Sequence, residues 1–285
     1  MFREVDEEFV RGAFKPRRAG SHKGENGSVL VVGGSWLYHG APFLSAMAAL
    51  RSGVDLAYIA APEKIATAIR ALSPNLIVLP LTDLKLTPGA VRRIKKILPR
   101  VDVLVVGPGL ASGSEPGIET VIREAEDKAL VLDATALYPE VVPAVSGRKA
   151  VLTPHAGEFQ RVFGAKVPEG LEERVGLVKE YARKAGVTIL LKGRLDIISD
   201  GVDAAVNRTG TPAMTVGGTG DVLTGVVAAL LAKGADPFRA AAAAAWINGR
   251  AGERAASRLG LHILATDVID SLPEVMRRFD EVAED

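Results

Sequence analysis

Cysteine is absent from this chain of 285 residues. That absence excludes disulfides, zinc–thiolate sites and thiol nucleophiles, and it fits a reducing cytoplasm. Charge of one sign is missing too. The chain holds 35 basic and 34 acidic residues, a formal net charge of +1, so it offers no field for nucleic acid or anionic lipid. An anionic ligand would have to be held by local geometry. Neither common phosphate motif is present: there is no GxxxxGK[ST], and no GxGxxG follows the first strand-like run. A Walker-type NTPase or a Rossmann dehydrogenase would need one of them. The start, MFREVDEEFVRGAFKPRR, has no apolar core and is no signal peptide. Residues 28–50 carry no charge and are long enough to suggest a membrane span. Gly33-Gly34-Ser35 and His39-Gly40-Ala41-Pro42 break that run into a strand and a helix, so no membrane is expected.

Apolar residues are plentiful, at 48%, enough for a sizeable core. Continuously apolar, β-rich runs at 28–33, 54–60, 76–80, 102–106, 129–132, 149–152 and 187–191 read as strands buried on both faces. Amphipathic stretches at 63–72, 88–98, 115–127 and 171–185 lie between them. The alternation predicts an α/β fold, a mostly parallel central sheet with helices on both faces. Residues 195–199 and 202–206 flank Asp200-Gly201, a two-residue hairpin signal, which predicts an antiparallel edge. Three helices follow, near 219–233, 236–259 and 265–279. The middle one carries Ala240 to Ala245, a small-residue face suited to close packing or to a homo-oligomer contact. With no repeat and no linker, residues 1–285 read as one domain, with 1–25 as an N-terminal arm or lid.

In open α/β sheets, ligands bind beyond the carboxyl ends of the strands. Here the turns after the strands are rich in glycine. The sharpest is Gly217-Gly218-Thr219-Gly220-Asp221, at the start of a helix. Glycine lets the backbone approach a ligand, and the free amides and dipole of a helix N-terminus favour a phosphate. Asp221 is out of place beside a phosphate. Either it accepts a proton from a hydroxyl, or it only charges the helix start. His155 and Glu158 are spaced i, i+3 after a strand. Direct zinc binding lacks a third ligand; a ligand contact for His155 and a water-mediated hold on magnesium for Glu158 are the better functional reading, and a favourable helix start is the plain one. Lys192 ends a buried strand, where lysine either serves a site or reaches out to solvent. Trp36 and Tyr38 either stack on a base or, the commoner fate, pack. Ser21-His22-Lys23-Gly24 reads as a loop.

Taken in order, SHKGENGSVLVVGGSWLYHGAP, VVGPGL, VLDATAL, LTPHAGEF, LKGRLDII and NRTGTPAMTVGGTGDVLTG resemble the ADP- or ATP-dependent NAD(P)H-hydrate dehydratases of the ribokinase-like superfamily. The resemblance spans roughly residues 15 to 280. Tyr38-x-Gly40-Ala41-Pro42 and Pro154-His155-x-Gly157-Glu158 favour this family over the hydroxyethylthiazole and sugar kinases, which share the glycine turn. The resemblance implies a three-layer ribokinase-like fold and a lyase that repairs hydrated NADH or NADPH, using ADP (or ATP) and releasing AMP (or ADP) and phosphate. It implies that Ala41, Gly109 and His155 contact the hydrated nicotinamide nucleotide. It places Lys192, Gly193, Arg194, Leu195, Asp196 and Gly220 on the adenine nucleotide, Gly218, Thr219 and Gly220 in an anion hole, and Asp221 on the reacting hydroxyl as the catalytic base. Magnesium near Glu158 is the implied cofactor, a homo-oligomer the implied assembly, and an epimerase the implied functional partner. Asp196 departs from the family, where many relatives place Thr after Lys-Gly, so its side-chain role stays open. Two alternatives remain: a small-molecule kinase of the same fold, and a nucleotide-binding regulator without turnover.

Overall fold

The computed structural model describes residues 2–284. Among these residues twelve strands are formed: β1 (Arg3–Glu4), β2 (Arg17–Arg18), β3 (Ser28–Val32), β4 (Leu56–Pro62), β5 (Ile77–Leu81), β6 (Val103–Val106), β7 (Ala129–Leu132), β8 (Ala150–Leu152), β9 (Thr188–Leu191), β10 (Asp196–Ser199), β11 (Ala204–Asn207) and β12 (Val282–Ala283). Ten of them make one sheet in the order β1-β11-β10-β9-β8-β7-β6-β3-β4-β5, and β2 pairs separately with β12. From β9 to β5 every pairing is parallel. β10 runs antiparallel to both β9 and β11, as the Asp200-Gly201 turn predicts. The antiparallel strand is not the last one, because β1 adds to β11 in parallel.

The helices are α1 (Glu7–Arg11), α2 (Gly40–Arg51), α3 (Glu63–Leu72), α4 (Val91–Lys95), α5 (Glu115–Glu124), α6 (Val141–Val145), α7 (Ala156–Phe163), α8 (Leu171–Ala185), α9 (Thr219–Ala232), α10 (Pro237–Leu259) and α11 (Ala265–Met276). Alternate strand residues face opposite layers. Val29, Val31, Val103 and Val105 pack under α2, α3, α9, α10 and α11. Leu30, Val32, Leu104 and Val106 pack over the helices from α4 to α8. Both faces of the central strands are therefore dry, which is why their runs are apolar without alternation. The fold class is the expected one: α/β, three-layered and mostly parallel. The stretch at 88–98 is less helical than its pattern suggests: α4 covers 91–95, and Pro99 sits in a short 3-10 turn at 98–100.

Residues near the N-terminus are tied down. Phe9 and Val10 are buried in the α2–α9–α10 layer, Phe14 stacks on Phe279, and Arg17 donates its backbone N–H to Glu281. The uncharged run at 28–50 is indeed β3, a loop and α2, and among the described residues no helix is long and apolar enough to cross a membrane. Ala240 to Ala245 are all buried inside the chain, where α10 packs on α9, α11 and the sheet. That corrects the expectation that this face serves an oligomer: it is consumed within one copy.

Candidate functional site

The parallel strands end their carboxyl termini along one edge, and the motifs gather there. β3 leads into Gly33-Gly34-Ser35, β6 into Gly107-Pro108-Gly109, β7 into Asp133, β8 into Thr153-Pro154-His155, and β9 into Lys192. β10 is reversed, so its first residue, Asp196, lies at the same edge as Asn207, the last of β11. The N-termini of α2 and α9 close the edge from one layer.

The glycine turns bring backbones into contact. Gly34, Gly107, Gly109 and Gly218 have φ of 87°, 124°, 69° and 98°, the left-handed region that glycine enters without strain. A Cβ on Gly107 would lie 1.8 Å from the carbonyl oxygen of Asp133, and one on Gly109 would lie 3.1 Å from the Cβ of Ala41. Ala41 and Gly109, predicted as substrate contacts, are thus neighbours. Gly217 has open space around it, and a Cβ on Gly220 would lie 3.6 Å from Lys192 Nζ. The amide end of α9 and the lysine ammonium therefore face one spot. Two positive poles converging in this way suit a phosphate. The Thr219 hydroxyl instead turns back to donate to the carbonyl of Met214, so only its amide is free for an anion.

Lys192 does not reach out to solvent. Its Nζ donates to Asp133 Oδ1 at 2.7 Å and lies 3.7 Å from Glu158 Oε2. Burial would lower its pKa, but Asp133 and Glu158 hold it above the ordinary value. Asp133 is itself buried and accepts from the Thr153 hydroxyl. The backbone after it is strained: Ala134 has φ 50°, which costs a non-glycine residue about 1 kcal/mol. Asp133 was not legible as a site residue, although a lone carboxylate after a buried strand in VLDATAL was the available signal.

His155 caps α7. Its Nδ1 accepts from the amides of Gly157 and Glu158, while Glu158 Oε2 accepts from the backbone N–H of His155. This reciprocal cap is the plain role weighed for the pair, and it leaves the exposed His155 side chain with Nε2 3.6 Å from Glu158 Oε2. Among the described residues no group of three or more His, Asp or Glu could hold a metal, so an all-protein cage is ruled out there. The donor set instead fits a magnesium ion carried on phosphates and water, with the Glu158 carboxylate as an outer partner.

Asp221 stands on the first turn of α9, half-buried. Burial, with help from the Asp133 carboxylate, pushes it up to about 7; Lys192 opposes the shift. A carboxylate held near neutrality beside an anion site can accept a proton and release it again. Its backbone carbonyl is fixed by the hydroxyls of Ser45 and Thr224, which joins α2 to α9. Asp196 has a different task. Its Oδ1 accepts from the Gly193 amide at 3.0 Å and its Oδ2 from Asn207 Nδ2 at 3.0 Å. Burial pushes it up to about 6. The side chain therefore closes the exposed turn Gly193-Arg194-Leu195, which Arg174 braces through the Leu195 carbonyl. Asn207 opens the NRTGTP stretch, but nothing in its neighbours marks it as a partner of Asp196. Trp36 and Tyr38, for which packing was the commoner expectation, are instead 79% and 59% exposed.

A mostly parallel sheet with one reversed strand, glycine turns along its carboxyl edge and an acid at the head of α9 define a ribokinase-like fold. A ribokinase-like superfamily protein from Enterococcus faecalis, 23% identical, superposes with a TM-score of 0.83 over 98% of this chain and 97% of its own, which speaks for the fold alone. The sequence model of the NAD(P)H-hydrate dehydratase family matches residues 29–274, and the chain belongs to that family. It is 49% identical over 283 residues to an ADP-dependent (S)-NAD(P)H-hydrate dehydratase of Cenarchaeum symbiosum, covering 98% of this chain and 99% of the relative. The crystal structure of the ADP/ATP-dependent NAD(P)H-hydrate dehydratase from Bacillus subtilis, co-crystallised with ATP/Mg2+, is similar at 29% identity and a TM-score of 0.81, over 98% of this chain and 99% of that one.

Proposed function

We propose that this chain, as one ribokinase-like domain, dehydrates the S epimer of hydrated NADH and NADPH with ADP or ATP as co-substrate. The observation that carries the reading is Asp221, pushed up to about 7 at the head of α9, beside the convergence of Gly220 and Lys192. Hydroxide is a poor leaving group and phosphate a good one. Asp221 takes the proton from the ring hydroxyl as that oxygen attacks the terminal phosphoryl group, and AMP (or ADP) departs. The amides of Gly218, Thr219 and Gly220, with Lys192 behind them, stabilise the charge on the transferring group. The lone pair on the ring nitrogen then expels phosphate, and loss of a proton from the adjacent ring carbon restores the dihydronicotinamide. Magnesium, when bound, would supply positive charge against the phosphates, and Glu158 would hold it through water.

Ala41, Gly109 and His155 line the nicotinamide side of this arrangement, and the Lys192 to Asp196 turn lines the adenine nucleotide side. Asp196 acts through the backbone it closes. The chain is proposed to work in the cytoplasm as a homo-oligomer, and an epimerase would supply the S epimer from the R form.

The test is direct. Protein mixed with hydrated NADH, ADP or ATP and magnesium is expected to regenerate absorbance at the reduced-nicotinamide band. No recovery, together with phosphorylation of a thiazole alcohol or a sugar, overturns the reading in favour of a kinase.

A further inference from the structure

Between β3 and α2 the chain shows apolar side chains to water. Leu37 is 71% exposed, between the exposed Trp36 and Tyr38. Among the described residues, no other three consecutive large apolar side chains are exposed. Single exposed apolar residues are ordinary. A run of three is a liability unless it serves a contact. Among the described residues neither aromatic ring has a ring or cation partner, and the Trp36 indole N–H has no acceptor.

The turn that carries them is built, not loose. The Ser35 amide donates to the Tyr38 carbonyl at 3.4 Å, and the Tyr38 amide donates to Ser35 Oγ at 3.3 Å. Ser35 is buried. Before it, the Gly34 amide donates to the Pro108 carbonyl at 2.8 Å, which seats the turn on the Gly107-Pro108-Gly109 segment. A Cβ on Gly109 would lie 2.5 Å from the Tyr38 carbonyl oxygen. Trp36 and Leu37 form the tip, held in place with nothing of this chain to hold.

The turn stands where the substrate has to pass. Along the carboxyl edge the strands run β10, β9, β8, β7, β6, β3, β4. The adenine nucleotide, on the Lys192 to Asp196 turn, takes the β9–β10 end in the reading above. The rest of a dinucleotide substrate must then run the other way, past Gly109 after β6 and Ala41 after β3. Ala41 and Ser45 share one face of α2, and Ser45 Oγ donates to the Asp221 carbonyl at 2.9 Å. Ala41 therefore lies on the Asp221 side of α2, and the Trp36 turn is the next surface outward. Hydrated NADH carries two rings. The reacting one has lost its flatness by adding water, whereas the adenine stays planar and aromatic, the better partner for an indole face.

We propose that Trp36 stacks on the adenine of the hydrated nicotinamide dinucleotide, with Leu37 and Tyr38 extending the same apolar wall, so that the protein favours a dinucleotide over a mononucleotide. The inference rests on the dehydratase reading and deepens it: Asp221 handles the ring hydroxyl, and Trp36 holds the far end of the same molecule.

The experiment compares hydrated NADH with hydrated reduced nicotinamide mononucleotide, which has the same reacting ring and no adenine. Trp36→Ala is expected to raise KM for hydrated NADH at least about fivefold, with kcat within about twofold. KM for the mononucleotide should be the same in wild type and variant, and Trp36→Phe should restore most of the loss. Binding is read separately. Without ADP, hydrated NADH should quench wild-type tryptophan emission well beyond that of Trp36→Phe, where the buried Trp246 remains as internal control. Such quenching without any turnover would count against the proposed reaction and leave the stacking contact standing. An unchanged KM for hydrated NADH, or an equal rise with the mononucleotide, overturns the proposal. So does dissociation of Trp36→Ala into smaller assemblies in sedimentation, which would give the indole to a second copy of the chain.

Discussion

At the residue scale, the site is a contest for charge among Asp133, Glu158, Lys192 and Asp221. Asp221→Asn removes the base and keeps the shape. Turnover is expected to fall at least about a hundredfold, while ADP affinity in calorimetry stays within about tenfold, roughly 1.4 kcal/mol. Retained turnover removes Asp221 from the base role. Because its carboxyl is pushed up to about 7, kcat/KM should rise with pH through about 7 and level off above it. A flat profile across that range contradicts the assignment. The stability effect has the opposite sign. The native state holds a proton that the unfolded chain, at the ordinary carboxyl value of 3.8, releases. Native stability from this group is full below that value and is lost as pH rises to about 7. The difference in melting temperature between wild type and Asp221→Asn should follow that slope. Lys192→Met leaves the buried Asp133 without its cation, and denaturant unfolding should register a loss of about 3–5 kcal/mol. Asp221 and Lys192 were legible because each breaks a local rule: an acid beside a phosphate turn, a cation closing an apolar strand. Asp133 carries only the weaker signal of a carboxylate after a buried strand, and its 2.7 Å bond to Lys192 is what gives it a role.

At the element scale, α2 and α9 act as a pair. Gly225 allows it: a Cβ there would lie 2.1 Å from the carbonyl oxygen of Ser45. Alanine in place of a mid-helix glycine normally stabilises by about 1 kcal/mol. Here the backbone clash exceeds that gain, and Gly225→Ala should destabilise by about 2 kcal/mol. The helix starts would part, so KM for the hydrated nucleotide should rise in steady-state assays; an unchanged Tm and KM would show that the helices can separate freely. The glycine turn and the hairpin were readable because glycine and Asp-Gly carry their own conformational reasons. The two fates of the alanine run were not separable by composition. A small-residue face suits a neighbouring helix of the same chain as well as one of another copy, and the helix order of this fold chose the former.

At the scale of the whole molecule, the two ends of the chain meet. β12 pairs with β2, and Phe279 is buried against Phe14 and Trp246. Phe279→Ala should cost about 3–5 kcal/mol in chemical unfolding while leaving kcat for dehydration unchanged, since the clasp lies at the far end of the sheet from Asp221. A proportional fall in kcat would place the clasp in the catalytic cycle.

The sequence alone determined the layered α/β class, because buried parallel strands must be apolar on both faces and helices must show one apolar side. It also marked the phosphate turn and the acid beside it, since both are local chemistry. The partners of those residues were decided only by the tertiary structure. Asp133 meets Lys192 across 59 residues, and Asp196 meets Asn207 across a reversed strand. Burial and long-range pairing depend on which strands lie side by side, and no window of sequence contains that order.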